Sequence, residues 1–194
     1  MLECCRRNNT DLLQEVLHDI SRSTASKQSP AESTAELLNR CTDGIGNHCL
    51  HVAATYGSYD VLDLLLDQEG LEVDPVDRLE ADTPLHKAVR FTNGLEKESW
   101  ESGKAIVELL LDAGADPRYG LVHCGHVRGT LDLQDTTFLR TRNKAKLKAM
   151  DLVEPANLEL RSVLQKAEFA MMAGNDVVQD DDDDGPTGSA SDSE

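Results

Sequence analysis

An all-α solenoid of stacked helix pairs is the fold the sequence predicts, and three observations carry it. Leu50-His51-Val52-Ala53 and Leu85-His86-Lys87-Ala88 recur 35 residues apart. Each is followed by a leucine-rich stretch with branched residues on one helical face, YGSYDVLDLLLDQEG after the first and GKAIVELLLDAGADP after the second. Each leucine run is followed within a few residues by a glycine, Gly70 in the first and Gly114 in the second, as a helix end is. A period in this range marks supersecondary units that cannot bury their apolar face alone and stack to share one core.

The elements follow in chain order. Asp11 to Ile20 sets Leu12, Leu13, Val16, Leu17 and Ile20 at helical spacing, and the Ser-rich SRSTASKQS after it is expected to be loop. Ser29-Pro30-Ala31-Glu32 reads as an N-cap, a proline at the first helical position and a capping-box glutamate, so residues 31–41 are expected to be helical. The two recurring units then supply a pair of short antiparallel helices each. The second carries about ten extra residues, near Thr92 to Glu101, between its helices. A closing helix from Leu158 to Met172 presents Leu160, Val163, Leu164, Ala167 and Met171 on one face and Arg161, Gln165 and Glu168 on another, as the end of a stack requires.

Asp43, Gly46, Leu50, His51, Ala53, Ala54 and Gly57 in one unit resemble the ankyrin repeat, whose pattern runs D-x-x-G-x-T-P-L-H-x-A-A-x-x-G, then V-x-x-L-L-x-x-G-A-D. Thr83-Pro84-Leu85-His86, Ala88, Leu110, Leu111, Gly114, Ala115 and Asp116 resemble it in the next. Thr-Pro supplies a cap and a fixed φ at the helix start, and the small alanines let neighbouring helices approach. The resemblance implies a repeat domain over residues 1–174, with units near 3–41, 43–76, 77–118 and 141–173. That is three to four repeats with degenerate caps. The family's histidine ties its turn through imidazole hydrogen bonds.

Departures from the pattern are local. His48-Cys49 replaces Thr-Pro in the first full unit. The last unit, Arg142 to Val153, has Lys146 where glycine is expected and Lys148-Ala149 for Thr-Pro. Residues 3–20 resemble an N-terminal remnant lacking most of its first helix. Tyr119 to Arg140 has no repeat character, and deleting these 22 residues would join GADPR to TRNKAKLKAMDLV in register. Two readings stand for it: a segment retained from an in-frame intron, and a surface loop between repeats.

With 194 residues the chain accommodates one domain plus appendages. Its 36 acidic and 19 basic residues give a formal charge of −17, while 39% apolar content supports a folded core. Residues 175–194 hold eight acids and no base and read as a disordered acidic tail, leaving −9 on residues 1–174. So strong an excess of negative charge disfavours nucleic acid and anionic membranes. No apolar run is long enough to span a bilayer, and the first residues lack the apolar core of a secretory signal. Five cysteines with no CxxC form no even framework, and reduced thiols in cytoplasm or nucleus are expected.

Sites for chemistry are weak. His48-Cys49-Leu50-His51 and His123-Cys124-Gly125-His126 each spell H-C-x-H, but no paired cluster completes four zinc ligands. Asp180 to Gly185 starts like a calcium loop, yet position 12 is Ser191 instead of glutamate. Arg140 to Lys148 reads as an exposed turn of the last repeat, and Ser189 and Ser191 resemble sites of acid-directed kinases. No nucleophile motif or phosphate loop is present, so no enzyme, metal or cofactor is expected. The resemblance implies instead a protein-protein interaction module that binds through its concave face and turn tips. Mapped onto this chain, the partner-binding residues are Ile45 and Asn47 with Gly44, then Thr55 and Tyr56, in one unit. In the next they are Leu79, Glu80, Asp82, Arg90 and Phe91. A monomer with a protein partner is expected, a basic partner being electrostatically favoured. The alternative is a chaperone or charge shield for a basic client such as a ribosomal protein, since small acidic ankyrin proteins of that class share this size and acidic C-terminus.

Overall fold

The structure is a computed structural model that describes residues 1–24, 30–118 and 147–173. The anomalous segment 119–140, the tail 175–194 and the motifs within them lie outside the described residues, as does most of Arg140 to Lys148. The described residues form helices joined by tight turns, with a single isolated antiparallel bridge between Thr42 and His48. The helices are α1 (Leu2–Arg7), α2 (Thr10–Thr24), α3 (Pro30–Arg40), α4 (Cys49–Tyr56), α5 (Tyr59–Leu66), α6 (Pro84–Asn93), α7 (Trp100–Asp112) and α8 (Leu158–Ala173). Short 3-10 turns occupy Lys97–Ser99 and Ala149–Leu152.

Two layers result. α1, α4, α6 and the 3-10 turn at Ala149–Leu152 stand side by side in one, and α2, α5, α7 and α8 in the other. The first layer packs closely because its contact residues are small: Cys4, Cys5, Ala53, Ala54, Ala88 and Ala149 are fully buried. Between the layers lie Leu13, Leu62, Leu65, Leu85, Leu110, Leu160 and Leu164, each essentially without exposure. Burying one such side chain is worth about 1.5–3 kcal/mol, so this shared core, more than helix propensity, holds eight- to ten-residue helices in place.

α1, expected to lack most of a first helix, spans six residues against the eight of α4. It ends at Asn8 in the left-handed conformation (φ 50), just as α4 ends at Gly57 (φ 69), and each cap N–H returns to the helix carbonyl four residues back. Gly57 is required for a second reason: a Cβ there would sit 2.1 Å from Phe91 Cζ. Asn8 also ties the first unit to the second, accepting the Val61 N–H at 3.0 Å and donating to Asp60 at 2.7 Å.

Three expectations are adjusted. α2 continues to Thr24, through residues expected to be loop, and Arg22 in its last turn complements the negative end of the helix dipole. The ten extra residues of the second full unit are largely absorbed by the helices themselves. α6 runs to Asn93 and α7 begins at Trp100, whose indole N–H donates to the Leu95 carbonyl at 3.2 Å and folds the connection down. The first helix of the last unit is reduced to the single 3-10 turn at Ala149–Leu152. Asn93 holds that turn, donating to the Leu152 carbonyl at 2.6 Å and accepting the Glu154 N–H at 3.1 Å. Asn39 on α3 does the same for the Gly70 carbonyl and the Glu72 N–H.

Candidate functional site

Two projecting turns, one before α4 and one before α6, are built by aspartates. Asp43 Oδ1 accepts the N–H groups of Ile45 (3.0 Å) and Asn47 (2.9 Å), and its Oδ2 accepts the Asn47 amide at 3.0 Å. Burial would raise the Asp43 carboxyl, but these donors outweigh it and hold it below the usual range. Asp77 repeats the device, accepting the N–H groups of Glu80 (2.6 Å) and Ala81 (3.0 Å). The two turns are joined directly, since the Arg78 N–H donates to the Ile45 carbonyl at 3.3 Å. Gly46 (φ 88) permits that approach, because a Cβ there would lie 2.9 Å from the Arg78 nitrogen. The second turn is one residue longer, and Ala81 (φ 58) takes the left-handed position glycine holds in the first.

Behind the turns a ladder of two histidines links the unit of α4 to that of α6, and the unit of α6 to the segment after it. His51 Nδ1 accepts the His48 N–H at 3.2 Å, which leaves the proton on Nε2 to be donated to the Asp82 carbonyl at 2.8 Å. His86 Nδ1 likewise accepts the Thr83 N–H at 3.3 Å, and its Nε2 reaches the Leu147 carbonyl at 3.3 Å. Asp82 and Leu147 each immediately precede the helix start of the following unit. Burial pushes both imidazoles down, His51 to about 4, so both are neutral at neutral pH.

Turn, cap and inter-unit histidine thus recur together in register. The family description "Ankyrin repeats (3 copies)" matches residues 1–120. The chain belongs to the ankyrin-repeat family. It is also similar to "Ankyrin repeat-containing protein YGL242C" of Saccharomyces cerevisiae (strain ATCC 204508 / S288c), 34% identical over 194 residues that cover 96% of this chain and 89% of that protein. Ankyrin repeats in general mediate protein-protein interaction.

The ladder also accounts for the H-C-x-H sequence at His48 to His51. Both His51 nitrogens are spent on backbone groups and Cys49 is fully buried, so these residues build the ankyrin helix start. The His86 bond to Leu147 carries the ladder beyond the residues the family description matches, to the segment expected to form the last unit, where Lys148-Ala149 stands in the Thr-Pro place. There the Asp151 carboxylate accepts the Lys148 N–H at 3.0 Å, in the position histidine holds elsewhere.

The ankyrin turns bring some of the expected binding residues together and withdraw others. Ile45 (50% exposed) and Leu79 (59%) stand at the tips of the two joined turns, with Gly44 exposed beside Ile45. Thr55 and Tyr56 are exposed at the end of α4, although the Thr55 hydroxyl donates to the His51 carbonyl at 2.7 Å. Asn47 is half-buried and spends its amide on Asp43. Asp82 is not outward at all: it is fully buried, where Lys87 Nζ (3.2 Å) and Arg90 Nε (3.1 Å) neutralise it. Glu80 joins that cluster, 3.2 Å from Arg90 Nη2, so Arg90 is partly committed. Phe91 is half-buried and wedged on Gly57, making it a packing residue between repeats.

Two residues were not singled out from the sequence. Lys87 is the centre of the ion cluster, 2.7 Å from the buried Asp77 carboxylate and 3.2 Å from that of Asp82. The acids pull its proton on more firmly than the opposing effect of burial removes it, and its ammonium is held above the ordinary range. Tyr59 is 42% exposed and, with Gly57, Phe91, Ser102, Ala105 and Ile106, lines an apolar recess of about 260 Å³ between repeats. The tripling of acids at Asp77, Glu80 and Asp82 ahead of Lys87 and Arg90 was the available signal for the first. Nothing in the local sequence distinguishes Tyr59.

Proposed function

We propose that this ankyrin stack is a protein-binding module that acts as a monomer, engaging a basic partner through the tips of its two joined turns. The observation that carries the reading is the pair of exposed aliphatic side chains, Ile45 and Leu79, on turns fixed to each other by the Arg78 to Ile45 hydrogen bond. Their aspartate-built backbones are already ordered, so little conformational entropy is lost when a partner docks. Tyr56, 56% exposed at the end of α4, adds an aromatic of the kind that dominates interface energetics. The formal charge of −17 speeds encounter with a positively charged surface and repels an acidic one.

The test is affinity capture with the full chain and with an Ile45→Ser/Leu79→Ser variant, at low and moderate salt, with bound proteins identified by mass spectrometry. Both positions are exposed, so the variant's fold should be unaffected. Partners of basic composition that are held at moderate salt by the natural chain and lost by the variant are the expected result. Capture that the double substitution leaves unchanged removes the turn tips from the site. The eight acids of residues 175–194 favour a second reading, a charge shield for a basic client. In that case deletion of 175–194 or a rise in salt releases the client while the tip variant retains it.

A further inference from the structure

Three cysteines from three different helical elements meet in the core beside the first projecting turn. Cys5 comes from α1, Cys49 from the first turn of α4, and Cys41 from the residue after α3. The three thiols lie close enough for Cys49 to shift the ionisation of both Cys5 and Cys41. Cys5 and Cys49 are fully buried, whereas Cys41 is partly exposed and so is reachable from solvent. Cys41 and Cys49 also flank the antiparallel bridge between Thr42 and His48, which brings the two face to face across the base of the turn. The bridged pair itself is held at roughly 4.5–5.5 Å between Cα atoms. Cys41 and Cys49 are the next residue on either side of it, just after α3 and at the start of α4, so their backbones start from a spacing a disulfide accepts.

We propose that Cys41 and Cys49 are a reversible oxidation site, closing to a disulfide under peroxide and stapling the base of the first projecting turn. The Cys41 sulfur attacks one peroxide oxygen, the O–O bond breaks, and the Cys41 proton leaves with the departing oxygen as water. Cys41 is then a sulfenic acid. The Cys49 sulfur attacks Cys41 Sγ, the S–S bond forms, the S–O bond breaks, and hydroxide leaves with the Cys49 proton as a second water. Two thiols are oxidised and one peroxide is reduced to two waters. The order follows from access and from charge. The neighbouring Cys49 thiol favours a Cys41 thiolate and holds the Cys41 pKa below the ordinary thiol value, while Cys49, with both cysteines beside it and buried, is pushed the other way. The staple encloses Ile45 and Asn47, so oxidation acts on the turn itself, whichever protein binds there.

The experiment treats the full chain with hydrogen peroxide, blocks remaining thiols with an alkylating reagent and maps peptides by mass spectrometry. It is run in buffer and in urea, with Cys41→Ser and Cys124→Ser as comparisons. The expected result is a crosslinked Cys41–Cys49 peptide lighter by two hydrogens and reversible by dithiothreitol. It should be retained in Cys124→Ser and lost in Cys41→Ser. It should also form about tenfold or more faster in buffer than in urea, because the fold positions the sulfurs. A crosslink between Cys5 and Cys49 instead overturns the proposal. So does equal speed in urea, which would make the linkage a property of chain proximity alone, and so does sulfinic acid at Cys41 without any crosslink.

Discussion

His51 makes the pH dependence of this fold calculable. Its imidazole is neutral in the folded chain because burial pushes its pKa from 6.5 to about 4, and its single proton is committed to the Asp82 carbonyl. The unfolded chain binds a proton near 6.5 and the folded chain does not until near 4, so acidification through that window favours unfolding. The stabilising neutral state is fully present above the unfolded value and is lost as pH falls. Integrating the linkage from about pH 7.5 to about pH 5 gives a loss of about 2 kcal/mol from this one residue. Asp74 moves oppositely: burial raises its carboxyl to about 6, so its contribution is present at low pH and lost as pH rises through that value. Comparison with His51→Gln cancels Asp74, because glutamine can still donate toward Asp82 but does not titrate. Urea unfolding followed by circular dichroism should show the natural chain losing about 2 kcal/mol more than His51→Gln over this interval. Equal losses in the two chains would refute the assignment of the buried neutral imidazole as the acid-sensitive group.

Other consequences follow from the same contacts. Gly57→Ala forces a side chain into the left-handed region and against Phe91, and should lower stability by at least about 2 kcal/mol in urea titrations. Combined with Phe91→Ala it should cost less than the sum of the two single changes, since the collision partner is gone. Ala81→Gly relieves an alanine at φ 58 and should raise stability by about 0.5–1 kcal/mol, measured the same way. Lys87→Met leaves the buried Asp77 carboxylate without its ammonium, and thermal and urea melts should show a loss of about 3 kcal/mol.

What could be read from the chain was whatever is encoded locally. The aspartate turns, Thr-Pro cap, leucine spacing and closing glycines each act within a few residues, and the structure assembles all of them in the expected register. Histidine's role was legible only through the family resemblance, since its acceptors, Asp82 and Leu147, lie 31 and 61 residues away. The site was less legible for the same reason. Asp82 and Glu80 are close neighbours on one polar turn, and only the reach of Lys87 and Arg90 across the turn decides that Asp82 is buried. Phe91 looked like an anchor for a partner, but its fate depends on the absent side chain at Gly57, 34 residues earlier. The extra residues near Thr92 interrupted the pattern as sequence, yet helix extension and the Trp100 to Leu95 hydrogen bond accommodate them with one 3-10 turn.

The reduction of the last unit's first helix to the 3-10 turn at Ala149–Leu152 sets the order in which the molecule comes apart. In a linear array each unit is held by its own helices and by its neighbour, and this unit contributes four residues to the first layer where its neighbour contributes ten. Its attachment rests on the Asn93 amide, the His86 bond to Leu147 and the buried faces of Leu160 and Leu164. Amide hydrogens of α8 should therefore exchange through a partial opening that leaves α4 and α6 protected, making the C-terminal helix a foldon of its own. Such an opening would bare the far side of α6 and α7. The stack would then be extensible at that end by any segment able to supply the missing helix.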